Sequence, residues 1–130
     1  MRTRIAITRC QGYEYERVLK AVRHSIDLLG GIGRFVKPGQ SVLLKPNLLI
    51  ASVPEKGVTT HPMVVRAVME IVKEAGGVPF VGDSPSFGSA QRVAAKSRIA
   101  QVAEAMGCPI VDFRETVQVR TPEGFTFRRF

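Results

Sequence analysis

With 130 residues, 45% of them hydrophobic, the chain is one domain long and can bury a core without metal or disulfide staples. Its two cysteines, Cys10 and Cys108, are far apart, which excludes a disulfide framework and a zinc or iron–sulfur ligand set; no apolar run approaches the roughly 20 residues of a membrane span, so a cytoplasmic protein with no membrane partner is expected. The net charge of +8 is scattered over Arg17, Lys20, Arg23, Arg66, Lys73, Arg92, Lys96 and Arg98, with no basic run and no basic–aromatic interleaving, which disfavours nucleic-acid binding.

Residues 4–8 (Arg-Ile-Ala-Ile-Thr) predict a short strand, and residues 13–29 a helix, with Val18, Ala21, Val22, Ile26 and Leu29 on one stripe and Gly30-Gly31 ending it. Residues 41–45 follow as a second strand. Its near-continuous apolar run, Val42-Leu43-Leu44, predicts burial on both faces. Residues 46–60 carry no periodicity and form a long loop, of the kind that is usually functional or mobile. Thr59, Thr60 or His61 then caps a helix that starts at Pro62, where the missing N–H costs nothing. Gly76-Gly77 closes that helix, and residues 78–81 make a third strand.

A loop of small residues (82–89) leads into a single helix over residues 90–106, which Gly107 ends. Residues 108–113 read as a fourth strand closed by Asp112. Strand–helix alternation of this kind predicts an α/β fold: an open, mostly parallel Rossmann-like sheet with helices on its faces. Residues 116–127 alternate about the turn Thr121-Pro122-Glu123-Gly124 and predict a C-terminal β-hairpin. Its second arm is still in strand pattern at Phe130, as expected of a single α/β domain over residues 1–130 that is truncated relative to a larger one. An unfinished edge strand of this kind invites pairing with a second copy or with a partner chain.

In a right-handed parallel sheet the carboxyl ends of all strands share one rim, where open α/β folds bind ligands. That rim is expected to gather Thr8 and Arg9, Lys45 and Asn47, Asp83 and Ser84, and Asp112. Lys45 offers a cation, Asn47 an amide, Asp83 a carboxylate for a metal or hydroxyl, and Ser84 and Ser86 hydroxyls beside a helix entrance that favours anions. Each has a plainer role beside this one. Lys45 and Asp83 can form a structural ion pair across adjacent strands, Asp83 can cap the following helix region, and His61 can be a cap instead of a base or ligand. Asn47 and the long polar loop after it favour a ligand, since a structural pair needs no such cover.

Several motifs fail. Gly30-Gly31-Ile32-Gly33 follows a helix and precedes a strand, the reverse of a dinucleotide-binding turn. Gly82-Asp83-Ser84-Pro85-Ser86 lacks the second glycine of a nucleophile elbow, no Walker lysine loop is present, and only His24 and His61 could serve a serine nucleophile.

Leu-Leu-Lys-Pro-Asn (43–47), Thr-Thr-His-Pro-Met-Val-Val-Arg-Ala-Val (59–68), Lys-Glu-Ala-Gly-Gly (73–77) and Val-Gly-Asp-Ser-Pro (81–85), in this order, resemble the prokaryotic domain of unknown function family 362 (DUF362), over about residues 4–113. The resemblance implies an α/β protein longer than this chain, in a family whose members often carry ferredoxin-type cysteine clusters for 4Fe–4S centres. It carries Lys45, Asn47, Thr60, His61, Asp83 and Ser84 over as site residues. The chain departs from the pattern in having no clustered cysteines, so no iron–sulfur ligand is transferred and no cofactor is assigned. Two roles are expected from this. One is binding of an anionic small molecule or a metal at the rim, as part of an iron–sulfur oxidoreductase-like system; the other is a non-catalytic interaction module, a half-domain completed by oligomerisation or a partner chain.

Overall fold

The structure is a computed structural model and describes residues 3–113 and 117–118. Its elements are α1 (Tyr15–Leu28), β1 (Ser41–Leu44), α2 (Pro62–Glu74), β2 (Val78–Asp83), α3 (Ala90–Lys96), α4 (Ile99–Ala105) and β3 (Ile110–Asp112), with 3-10 turns at Ile32–Arg34 and Pro54–Lys56. The three strands pair in the order β1-β2-β3, both pairs parallel, with Leu44 opposite Val81 and Val81 opposite Ile110. The expected mixed α/β architecture with an open parallel sheet is therefore present.

Alternation along the strands splits the sheet into two faces. Leu44, Val81 and Ile110 point to one of them and pack with Val65 and Met69 of α2, Val93 and Ala94 of α3, and Ile99 and Ala103 of α4. Leu48, just after β1, is fully buried in the same cluster. Burying these aliphatic side chains stabilises the fold by roughly 1.5–3 kcal/mol each for the larger ones. Leu43 lies on the opposite face and remains 41% exposed, which corrects the expectation that this strand is buried on both sides. The reason lies in the helix layer. α1 packs against α2 instead of the sheet, through a bidentate Arg23–Glu74 pair (2.6 and 3.0 Å), a Tyr15–Glu70 hydrogen bond and Arg66 stacked 3.8 Å over the Tyr15 ring.

The strand expected at residues 4–8 does not join the sheet. That segment lies along α1, where the Thr8 hydroxyl donates to the Ala21 carbonyl at 3.0 Å and the Arg4 guanidinium reaches the Leu28 carbonyl. Alternation alone makes no strand without a neighbouring ladder, and Ile5 and Ile7 are left 81% and 88% exposed. The single helix expected over residues 90–106 is two. Ser97, fully buried, donates its hydroxyl to the Ala94 carbonyl, and Arg98 turns into the left-handed region at φ 62°, so the chain re-aims and both Val93 and Ile99 reach the core. The expected hairpin over residues 116–127 lies, but for Val117 and Gln118, outside the described residues.

Candidate functional site

With Leu44 opposite Val81, parallel pairing ends β1 and β2 on one rim, so the residue after Leu44 lies level with Gly82 and beside the last residue of β2. Those residues are Lys45 and Asp83. The Lys45 ammonium lies 2.6 Å from Asp83 Oδ1, which also accepts from the Ser84 backbone N–H at 2.9 Å, while Oδ2 accepts from the Leu48 N–H at 2.7 Å. Asp83 is buried and the Lys45 side chain is 53% exposed. Burial alone would push the Asp83 carboxyl up. The Lys45 hydrogen bond, the two backbone N–H groups and the Lys45 charge outweigh it and hold the carboxyl below its ordinary value. Asp83 thus remains ionised and pins the start of the 46–60 loop to the end of β2.

A second tie, from the Ser86 N–H to the Leu49 carbonyl at 3.2 Å, holds the loop after β2 against the loop after β1. Between them opens a cleft of about 380 Å³, lined by Lys45, Asn47, Asp83, Ser84 and Ser86 together with Leu48, Leu49 and Val58. Five of the seven residues expected at the site are therefore brought together. An ammonium carries three N–H donors, so Lys45 keeps two beyond the one it gives to Asp83. With the Asn47 amide and two serine hydroxyls, the cleft is equipped to bind oxygen-rich groups.

The other expected residues lie elsewhere. His61 is the N-cap of α2, its Nδ1 accepting from the Met63 N–H at 3.2 Å, and its ring stacks on Tyr13 with centroids 3.7 Å apart. Neither His61 nor Thr60 lines the cleft. Thr8 and Arg9 are absent from it as well, because their segment lies on α1; Arg9 borders a groove of about 800 Å³ beside Lys20 and His24. Asp112 accepts from the Ala90 N–H and Ser89 from the Arg92 N–H, so side chains already occupy the helix entrance expected to attract an anion. Asp83 caps no helix; its partners are the loop after β1 and its own neighbour.

One participant had no signal in the residue pattern. The Leu48 N–H is a backbone donor, and nothing in an apolar side chain announces that role. Thr59, next to the cleft-lining Val58 but outside the lining itself, is buried with its hydroxyl unpaired among the described residues.

These features define an open α/β protein whose polar cleft sits where its first two strands end, the position at which such sheets carry ligands. The chain belongs to the family described as Domain of unknown function (DUF362), whose model matches residues 42–130. It is also similar to the thylakoid-associated protein of Synechocystis sp., 48% identical over 110 residues that make up 85% of this chain and 34% of the relative. The chain thus spans about a third of that relative's length. No solved structure matches it. Among the described residues no helix is long and apolar enough to cross a membrane.

Proposed function

We propose that the rim cleft binds a small molecule bearing a carboxylate or phosphate group. The reading rests on Lys45: a half-exposed ammonium, oriented by a buried carboxylate, at the mouth of a cleft that also presents Asn47, Ser84 and Ser86. A pre-positioned cation binds an anionic group more strongly than a freely rotating one, because less side-chain freedom is lost on binding. Metal binding, the other expected ligand class, is less well supported. Both Asp83 oxygens already accept N–H donors, and among the described residues no group of three or more His, Cys, Asp or Glu is placed to hold a metal ion.

Binding is favoured over a reaction, since Asp83 is engaged on both oxygens. If this segment serves an iron–sulfur oxidoreductase-like system, its own share is ligand binding, because a 4Fe–4S centre takes four thiolates and these 130 residues have two cysteines. We place the chain in the cytoplasm; the Synechocystis relative is named as thylakoid-associated, and an association of this chain with a membrane is the other reading. The rival role, pairing through the C-terminal strand edge, concerns residues outside the described ones.

The test is a backbone amide NMR titration with inorganic phosphate and, separately, succinate. Saturable shifts at Leu48, Leu49, Ser84 and Ser86 that vanish in Lys45→Met, with the rest of the spectrum unchanged, are expected. Absence of saturable shifts for both anions, or shifts indifferent to Lys45→Met, would remove the proposal.

A further inference from the structure

Among the described residues, the sheet is covered on one face only. On the other, Leu43 stands opposite Phe80 in register, Val78 precedes Phe80 on the same side, and the Phe113 ring and Val111 methyl close over Gly82. These side chains make a contiguous apolar surface on which Leu43, Val78 and Phe113 are 41%, 55% and 42% exposed. Parallel sheets are stable when both faces are buried, and each described helix that packs on this sheet lies on the Leu44–Val81–Ile110 side. The helix that could have crossed to the open side, α1, is committed to α2 by the Arg23–Glu74 and Tyr15–Glu70 contacts.

We propose that this face is the docking surface for a second layer of polypeptide, of the kind that makes up the two thirds of the Synechocystis relative lying outside the matched segment. Size argues against a second copy as the occupant. Three strands about 4.8 Å apart, the longest rising about 3.3 Å for each of its residues, present on the order of 300 Å². A stable two-protein interface needs about 800 Å² from each side. A copy seated on a copy through this face alone therefore falls short, whereas the relative has twice the matched length available to cover it.

The experiment compares this chain with a chimera in which it replaces the matched segment of the Synechocystis relative, both carrying Cys10→Ser. Val78→Cys reports on the open face, Leu28→Cys on the exposed end of α1, and the native Cys108, buried, on the integrity of the fold. Maleimide labelling at position 78 should slow by about tenfold or more in the chimera while position 28 is unchanged and Cys108 remains protected. The chain alone should be a monomer by light scattering. Equal labelling of position 78 in a chimera with Cys108 protected would overturn the proposal. So would a dimer of the isolated chain that Val78→Asp dissociates, since the occupant would then be a second copy. If Cys108 reacts in the chimera, the isolated chain decides: binding of an apolar dye that Val78→Asp and Leu43→Asp abolish supports an open docking face, and no dye binding refutes it. None of these readouts depends on the Lys45 cleft, so ligand binding and docking stand or fall separately.

Discussion

Lys45 and Asp83 meet across two parallel strands at 2.6 Å, one half-exposed and the other buried, and the shared carboxylate also receives the N–H groups of Leu48 and Ser84. The pair is therefore structural on the Asp83 side and available on the Lys45 side. The plain and the functional roles weighed for these residues are divided between two ends of one interaction.

Replacing Lys45 by methionine should leave the fold intact and raise the Asp83 pKa, because burial then meets only the two backbone donors. In the native protein the Asp83 carboxyl titrates below its unfolded value, so its contribution to stability is present above about pH 4 and is lost as pH falls through the folded pKa. A carbon-detected NMR titration of the Asp83 carboxyl in both proteins reads this directly. An unchanged pKa in Lys45→Met would mean that the ion pair does not form in solution.

Asp83→Asn should cost roughly 2–4 kcal/mol, since an amide cannot accept from the Leu48 and Ser84 N–H groups on both sides and the partner charge is lost. Urea denaturation measures it. A loss under about 0.5 kcal/mol would be typical of an indifferent surface site and would contradict the role assigned to Asp83.

His61 accepts the Met63 N–H through Nδ1, which requires the neutral ring. Burial lowers its pKa, Glu55 opposing and Arg98 reinforcing the shift. The unfolded chain thus binds this proton more readily, and the cap's stabilisation, complete above about pH 6.5, is lost as pH falls through the lower folded value. His61→Asn should keep the cap and abolish that pH dependence, while His61→Ala should cost about 1 kcal/mol at neutral pH. Thermal melts from pH 5 to pH 8 distinguish the three proteins, and identical pH profiles for the native and Asn forms would sink the assignment.

Thr59→Val should stabilise the protein by about 1 kcal/mol, because the buried hydroxyl finds no partner among the described residues and valine has the same shape. A loss of stability in a melt would show that the hydroxyl is bonded.

Gly82→Ala should be destabilising by about 1–3 kcal/mol. A Cβ at this position would lie 2.8 Å from both the Val111 methyl and the Phe113 ring, and Val111, β-branched and held in β3, has few rotamers by which to turn aside. Adding Phe113→Leu should recover part of the loss; no recovery in the double variant would place the clash on Val111 alone.

How much was legible beforehand follows from what each residue's chemistry can announce. Helical stripes such as Val65, Ile71 and Val72, the proline and imidazole at the start of α2, and apolar runs ending in Lys45 and Asp83 are local patterns, and they mark elements and a rim without any coordinates. Residues 4–8 and 90–106 misled for a shared reason. Alternation and helical spacing were both present, but whether Ile5 finds a ladder or Val93 and Ile99 share one core depends on neighbours remote in the chain.

From the order of residues alone came the α/β class, the family, and the proximity of Lys45, Asn47, Asp83 and Ser84, because parallel strands with right-handed crossovers must end on one side. The fold then settled matters of packing. It made Asp83 an anchor for the Leu48 N–H, turned His61 into a cap facing Tyr13, filled the α3 entrance with Asp112, and left Leu43 and Val78 uncovered by sending α1 onto α2. Hydrogen bonds from backbone groups and the choice of which face a helix covers are properties of chain segments brought together, and no single stretch of sequence encodes them.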